Sequence, residues 1–323
     1  MLPGKKDAVK KEEDKISPDS WYDCWGFLLF AMTCSIESSS LKVSIQKTGA
    51  ELCSIISKET GKEYIWQADP EVWGSHAPVL FPIIGVLKDD FYTFEGKSYK
   101  MPKHGIVRGN SNIIAEEQLN DSITFVLNSD ASTKEMYPFD CQFRIRFSVS
   151  ENRITVTHQV INMGDSELLF SLGAHPAFRC PFHEGADYDD YHLEFEQPEY
   201  AETHLLDMQK GLVGDETKLI LNNAKKLPLH KHLFDRDALI FKNLKSDSVS
   251  LLHKENGKVL TMNFSDFPYL GIWAKPGADF VCIEPWLGIA DSVDHNQQLE
   301  DKEGILTLEA GRVFNAHYLI TIH

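Results

Sequence analysis

Between residues 143 and 160 apolar side chains fall at every second position. Phe143, Ile145, Phe147 and Val149 alternate with polar neighbours, a turn from Ser150 to Arg153 follows, and Ile154, Val156, His158 and Val160 resume the alternation. A two-residue period sends successive side chains to opposite faces of a strand, so the segment reads as a hairpin with one buried face. From about Thr33 onward the same texture recurs. SVSLLHKENGKVLTMNF turns at Asn256-Gly257, YTFEGKSYKM turns at Glu95-Gly96, and the closing ILTLEAGRVFNAHYLITI reads as one more pair of strands. No window carries a long capped helical period, and no Gly-rich loop joins a strand to a helix, which removes the nucleotide folds. The lack of a fixed repeat removes propellers and solenoids. The predicted fold class is all-β, a large antiparallel β-sandwich.

Residues 1–32 differ in kind. The stretch KKDAVKKEEDK is dense in mixed charge, which predicts a flexible N-terminal extension ahead of a single domain over 33–323. The apolar run from Trp25 to Met32 is far short of the roughly 20 residues that span a bilayer. Lys mixed with Asp and Glu ahead of it, together with Pro18, makes it a poor signal peptide. A net charge of −16 disfavours a nucleic-acid partner, which clustered Lys and Arg would have to hold. The six cysteines form no CxxC or CxH pattern, so no zinc site is predicted, and buried free thiols in the cytoplasm are expected instead.

Three short clusters place ionisable groups beside Gly, Pro or Trp, where strands end and backbone can approach a ligand. KHGIVRG offers His104 and Arg108, LGAHPAF offers His175, and CIEPWLGIAD offers Glu284, Trp286 and Asp291. Together they have the makings of an acid/base site. Pro176 biases His175 to an extended conformation at the end of an apolar strand, which suits a proton donor, although a satisfied imidazole is the plainer alternative. Glu284 lies in the apolar strand FVCIEPW, so either it points outward on the alternate face or something in a cleft justifies its burial. Trp66, Trp73, Trp273 and Trp286 are either core residues or flat platforms of the kind a pyranose stacks against. His230 and His232 stand at metal-ligand spacing on a strand but lack a third ligand, and read as a basic loop. The acidic run Tyr188 to Glu196 lacks the spacing of a calcium loop and reads as a solvated face.

At these clusters the chain resembles the aldose 1-epimerase (mutarotase) family, in its LacX-like branch, over about Thr33 to His323. The landmarks are GAEL at 49 to 52, YIWQADPEVWGSHAPVLFPIIG at 64 to 85, MPKHGIVRG at 101 to 109, GAHPAF at 173 to 178 and YLGIWAKPGADFVCIEPWLGIADS at 269 to 292. The resemblance implies a galactose mutarotase-like supersandwich acting on a hexose, free or phosphorylated, with no cofactor and no metal. Position by position it makes His175 the general acid and Glu284 the general base. His104, Arg108 and Trp286 then contact the sugar. Asp237 matches an aspartate that binds sugar hydroxyls, with Asp235 competing for that place. One departure stands out: Val86 occupies a position where many relatives carry arginine, and Lys88 is expected on the same strand face as a substitute cation. A hexose-6-phosphate mutarotase and a non-catalytic carbohydrate-binding protein are the alternatives. A glycoside hydrolase ranks last because it wants two carboxyl groups flanking the bond.

Overall fold

The computed structural model describes residues 33–323; the N-terminal extension, Cys24 and the apolar run ending at Met32 lie outside the described residues. The chain folds as antiparallel sheets. The largest has nine strands, and its middle is the hairpin that the alternation predicts, Cys141–Ser150 paired with Arg153–Asn162 in the register Ser150 to Arg153. Burial alternates residue by residue along both strands, with Phe143, Ile145, Phe147, Ile154, Val156 and Val160 facing inward. A six-stranded sheet packs against this face. Phe195 of the large sheet meets Phe241 of the smaller one with ring centroids 6.1 Å apart, and residues from both sheets share one apolar core. The architecture is therefore the antiparallel sandwich expected. Among the described residues the α-helix content is one capped segment, Ala131–Met136.

The hairpins turning at Asn256-Gly257 and Glu95-Gly96 form as strands Ser248–His253 with Gly257–Asn263 and Phe91–Phe94 with Lys97–Lys100. The closing stretch does not form a hairpin with itself. Leu306–Leu308 pairs with Leu168–Phe170, whereas Val313–Ile322 inserts between Arg153–Asn162 and Gly257–Asn263 in the large sheet. Alternation identifies a strand and its buried face but carries no record of its partner, so long-range pairing wins here. The acidic run also divides: Tyr188, Tyr191, Leu193 and Phe195 are buried, and only the intervening polar groups face solvent. Cys34, Cys53, Cys141, Cys180 and Cys282 are buried free thiols. Among the described residues no helix is long and apolar enough to cross a membrane.

His158 takes an inward position in the hairpin that an apolar residue would suit better. It is 0% exposed, its ring lies among Phe143, Phe267 and Tyr318, and neither nitrogen has a hydrogen-bond partner. Burial pushes its pKa down to about 3. Between the ordinary value of about 6.5 and that depressed value the unfolded chain binds the extra proton, so this group removes stability as pH falls through the window. His158→Leu is expected to stabilise the fold by about 1–2 kcal/mol at neutral pH by eliminating unsatisfied polar atoms. Its acid-unfolding midpoint should also move to lower pH. Denaturant titrations at pH 7 and pH 4 check both, and equal loss of stability on acidification in mutant and parent would rule the account out.

Candidate active site

The strand Phe280–Trp286 is central to the smaller sheet, flanked by Tyr269–Trp273 and by the short segments Gly173–Ala174 and Ala177–Arg179. All seven of its residues are buried, because one face meets the core and the other closes the floor of a cavity. Outward alternation of Glu284 therefore fails. The carboxylate is 1% exposed and points into a cavity of about 170 Å³. His175 reaches the same space from the end of Gly173–Ala174, with its backbone N–H donating to Pro78 O at 3.1 Å. Its Nε2 lies 3.3 Å from Glu284 Oε2, close but not aligned as a hydrogen bond, so Oε2 has no hydrogen-bond partner within the protein.

Aromatic rings fix this pair. Trp73 stacks on the His175 imidazole at 5.0 Å, and Trp273 meets the same ring edge-on at 5.7 Å. Trp73, Trp273 and Trp286 all line the cavity, whereas Trp66 supports it from behind by donating its Nε1–H to Trp73 O at 2.8 Å. Trp286 lies flat against the strands because its neighbours are glycines. A Cβ at Gly271 would come within 2.5 Å of the Trp286 ring, and one at Gly173 within 2.7 Å. The glutamate of GAEL acts at one remove: Glu51 accepts the backbone N–H groups of His76 and Ala77 and ties down the segment between Trp73 and His175.

His104 sits on the turn after Met101 with a left-handed φ of 69° and is almost wholly buried. Gly105 follows because a Cβ there would lie 2.1 Å from Phe81 O. The Gly85 amide donates to His104 Nδ1 at 3.2 Å, and an amide can only donate, so Nδ1 is unprotonated and Nε2 carries the hydrogen of a neutral ring. Burial, with His175, Lys103 and Arg108 adding to it, holds His104 well below the ordinary imidazole range. His104 is thus a neutral hydrogen-bond donor beside His175, their rings 5.7 Å apart.

Every sugar-site residue predicted from the sequence reaches the cavity: His104, Arg108, His175, Asp237, Glu284 and Trp286. Geometry separates the two aspartates. Asp237 lines the cavity, while Asp235 lies outside it and pairs with His232 at 3.0 Å. His230 and His232 lie at the start of and within a turn rather than on a strand. Asp291, grouped with Glu284 by sequence, is already occupied: Oδ1 takes Lys302 Nζ at 2.7 Å and Oδ2 takes the Lys88 N–H at 2.9 Å. Lys88 does not replace an arginine at Val86. No strand runs between them, and Lys88 begins a 3-10 turn with its Nζ donating to His295 O. Val86 itself lines the cavity, and two cations do so with it, Arg108 and, from the same KHGIVRG segment, Lys103.

The charges on the pair follow from burial. Desolvation drives Glu284 well above the ordinary carboxylate range, with Lys103 opposing and Asp237 adding to the shift, and the Trp286 N–H opposing from beyond hydrogen-bond geometry. Desolvation also drives His175 down to about 3, reinforced by Lys103 and Arg108. Each group resists charge, so burial favours the neutral form of the pair, a protonated carboxyl beside a neutral imidazole. The two groups face the same space.

Comparison with known proteins gives a consistent result. The family described as aldose 1-epimerase matches residues 32–305. The plasmid-encoded protein LacX of Lactococcus lactis subsp. lactis is 35% identical over 305 residues, covering 90% of this chain and 99% of its own length. A crystal structure of a galactose mutarotase related enzyme from Lactobacillus acidophilus superposes with a TM-score of 0.85 at 35% identity, covering 90% of this chain and 97% of that one. A galactose mutarotase-like protein from Lactobacillus casei ATCC 334 gives 0.84 at 28% identity, covering 90% and 100%.

Proposed function

Because this chain belongs to the aldose 1-epimerase family, we propose that it is a mutarotase that interconverts the α and β anomers of a hexose. The observation that carries the reading is the 3.3 Å approach of His175 Nε2 to Glu284 Oε2 on the floor of an aromatic-walled cavity. Anomer exchange needs a proton removed from the C1 hydroxyl and one delivered to the ring oxygen, and both oxygens sit on one carbon. An acid and a base this close serve both. In the ion-pair form Glu284 takes the hydroxyl proton and His175 protonates the ring oxygen. The C1–ring oxygen bond breaks and C1 becomes the aldehyde. That step leaves the neutral pair, the form burial favours, and Lys103 keeps the carboxylate form accessible. Rotation about C1–C2 exposes the other carbonyl face, and the protons return by the reverse route. His104 donates to a sugar oxygen through Nε2–H, Asp237 accepts from hydroxyls, and the tryptophans stack on the ring.

The test is NMR exchange between anomers of glucose, galactose and their 6-phosphates, with and without protein. Acceleration above the spontaneous rate is expected for at least one. Binding without acceleration across the panel would turn the reading to a carbohydrate-binding protein. Two further outcomes follow. Protein treated with EDTA should keep its full rate, since the mechanism moves only protons through the chain's own groups. The profile of kcat/KM against pH should place its acid limb far below the ordinary imidazole value and its alkaline limb above the ordinary carboxylate range. The pair gains a second proton only toward about 3, where His175 charges, and loses its last above the ordinary carboxylate range. These limbs belong to the pair, not to either residue alone. An acid limb near the unperturbed imidazole value of about 6.5 would contradict a His175 held neutral by burial.

A further inference from the structure

Behind the pair lies a third group that proton transfer does not use. Cys282 is two residues before Glu284 on the same strand and therefore shares its face; it is 0% exposed and is not among the cavity-lining residues. His175, Cys282 and Glu284 bring one nitrogen, one sulfur and one oxygen to within 4.8 Å of one another. We propose that these three residues form a site for a thiophilic divalent cation of the zinc type, which shuts off anomer exchange when it binds. The regulatory half rests on the function proposed above; the site itself does not.

Geometry and donor chemistry carry this inference. The nitrogen and carboxylate oxygen are already 3.3 Å apart, close to the edge of a tetrahedral metal site. Ligand atoms within 4.8 Å of one another have to close to about 3.5 Å, a contraction on the order of an ångström, to reach metal–ligand bonds of roughly 2.0–2.3 Å. Glu284 Oε2 is buried without a hydrogen-bond partner and faces the gap, so no existing bond has to break. Neutral imidazole, thiolate and carboxylate select zinc-like ions over magnesium or calcium, which take oxygen ligands. Two anionic ligands match the dication, so the buried cluster becomes neutral when filled. Three protein ligands also leave a fourth position open toward the cavity, where water or a sugar hydroxyl fits. Lys103 and Arg108 face the cavity and oppose a cation, while Asp237 favours one, so the site suits a reversible inhibitor better than a permanent structural ion. When the site is occupied, the metal holds His175 Nε2 and the Glu284 oxygen beside it, the two atoms that would otherwise exchange protons with the sugar.

The experiment titrates EDTA-stripped full-length protein with Zn2+ against a chromophoric chelator, with Co2+ as a spectroscopic substitute. One equivalent should bind, and Co2+ should give a sulfur-to-metal charge-transfer band. Cys282→Ala should lose the band and weaken zinc binding by about 10- to 100-fold or more, since even outer-shell partners carry that much. Cys282→Ser replaces it if thermal unfolding shows Cys282→Ala misfolded. In the exchange assay stoichiometric Zn2+ should stop the wild-type protein, EDTA should restore it, and Mg2+ should do nothing. Cys282→Ala should exchange anomers at the metal-free wild-type rate and resist zinc. Zinc binding and a thiolate band in a protein with no exchange activity would sink the mutarotase reading and keep the site. No zinc binding, or binding unchanged by loss of the thiol, would sink the site and leave the mutarotase reading intact.

Discussion

Glu284→Gln is expected to abolish catalysed anomer exchange while sugar binding stays measurable. The amide keeps the shape of the side chain but neither accepts the C1 hydroxyl proton nor returns one, and no second carboxylate stands at 3.3 Å from His175 Nε2 among the described residues. A positioned base or acid typically contributes about 10²- to 10⁴-fold, so the variant should fall close to the spontaneous rate. His175→Asn should fall as far, and the double variant little further, because groups that act as a unit do not add. Binding should survive, since His104, Asp237 and the Trp73, Trp273 and Trp286 rings are untouched. Exchange NMR gives the rate and tryptophan fluorescence the binding. Near wild-type turnover in Glu284→Gln would make this buried carboxyl structural and would pass the search for a base to Asp237. Asp291 is not available for that role, because Lys302 and the Lys88 amide already hold both of its oxygens.

What could be read from the sequence follows from which signals are local. The central hairpin was legible because the large sheet has one buried face there, and a period of two follows directly. The same rule misleads at Phe280–Trp286. That strand is covered on both faces, so alternation says nothing about where Glu284 points. The closing strands were visible as strands, yet their partners lie roughly 150 residues away at Leu168–Phe170 and Arg153–Asn162, which no local pattern records. In the site, His104, Arg108, His175, Glu284 and Trp286 converge from segments marked by Gly, Pro or Trp, and Asp237, which only the family resemblance points to, joins them from LFDRDALIF, where no such residue marks it. Lys103 carries no local signal, since a lone lysine on a turn looks like solvent-facing charge. Its importance comes only from the cavity it borders, as does the choice of Trp73 and Trp273 over Trp66. Lys88 shows the converse: an i, i+2 argument needs a strand, and the chain has turned by then.

Asp291→Ala is expected to lower stability by about 3–5 kcal/mol, a drop in Tm on the order of 10 °C. The reason lies under the cavity wall. Asp291 and Lys302 are buried together with Nζ and Oδ1 2.7 Å apart, and Lys302 also donates to Ile289 O at 2.9 Å. Burial pushes the lysine pKa down and Asp291 raises it again, so removing the carboxylate leaves an ammonium with one carbonyl for company. The second oxygen caps the Lys88 amide and faces His295 Nδ1 at 3.3 Å, so the turn that follows Val86 loosens as well. The Asp291 main chain bonds to Val86 O and Val213 N, which joins this ion pair to the cavity wall formed by Val86 and Ala290. A looser wall should raise KM, whereas kcat per folded molecule should hold, because neither Asp291 oxygen faces the reacting pair. Asp291→Leu combined with Lys302→Met should recover most of the lost stability, since an apolar pair of similar volume is often neutral or better in place of a buried ion pair. Thermal unfolding of the two single variants and the double variant measures the coupling. Loss of kcat in Asp291→Ala without loss of Tm would show that the carboxylate takes part in the chemistry after all.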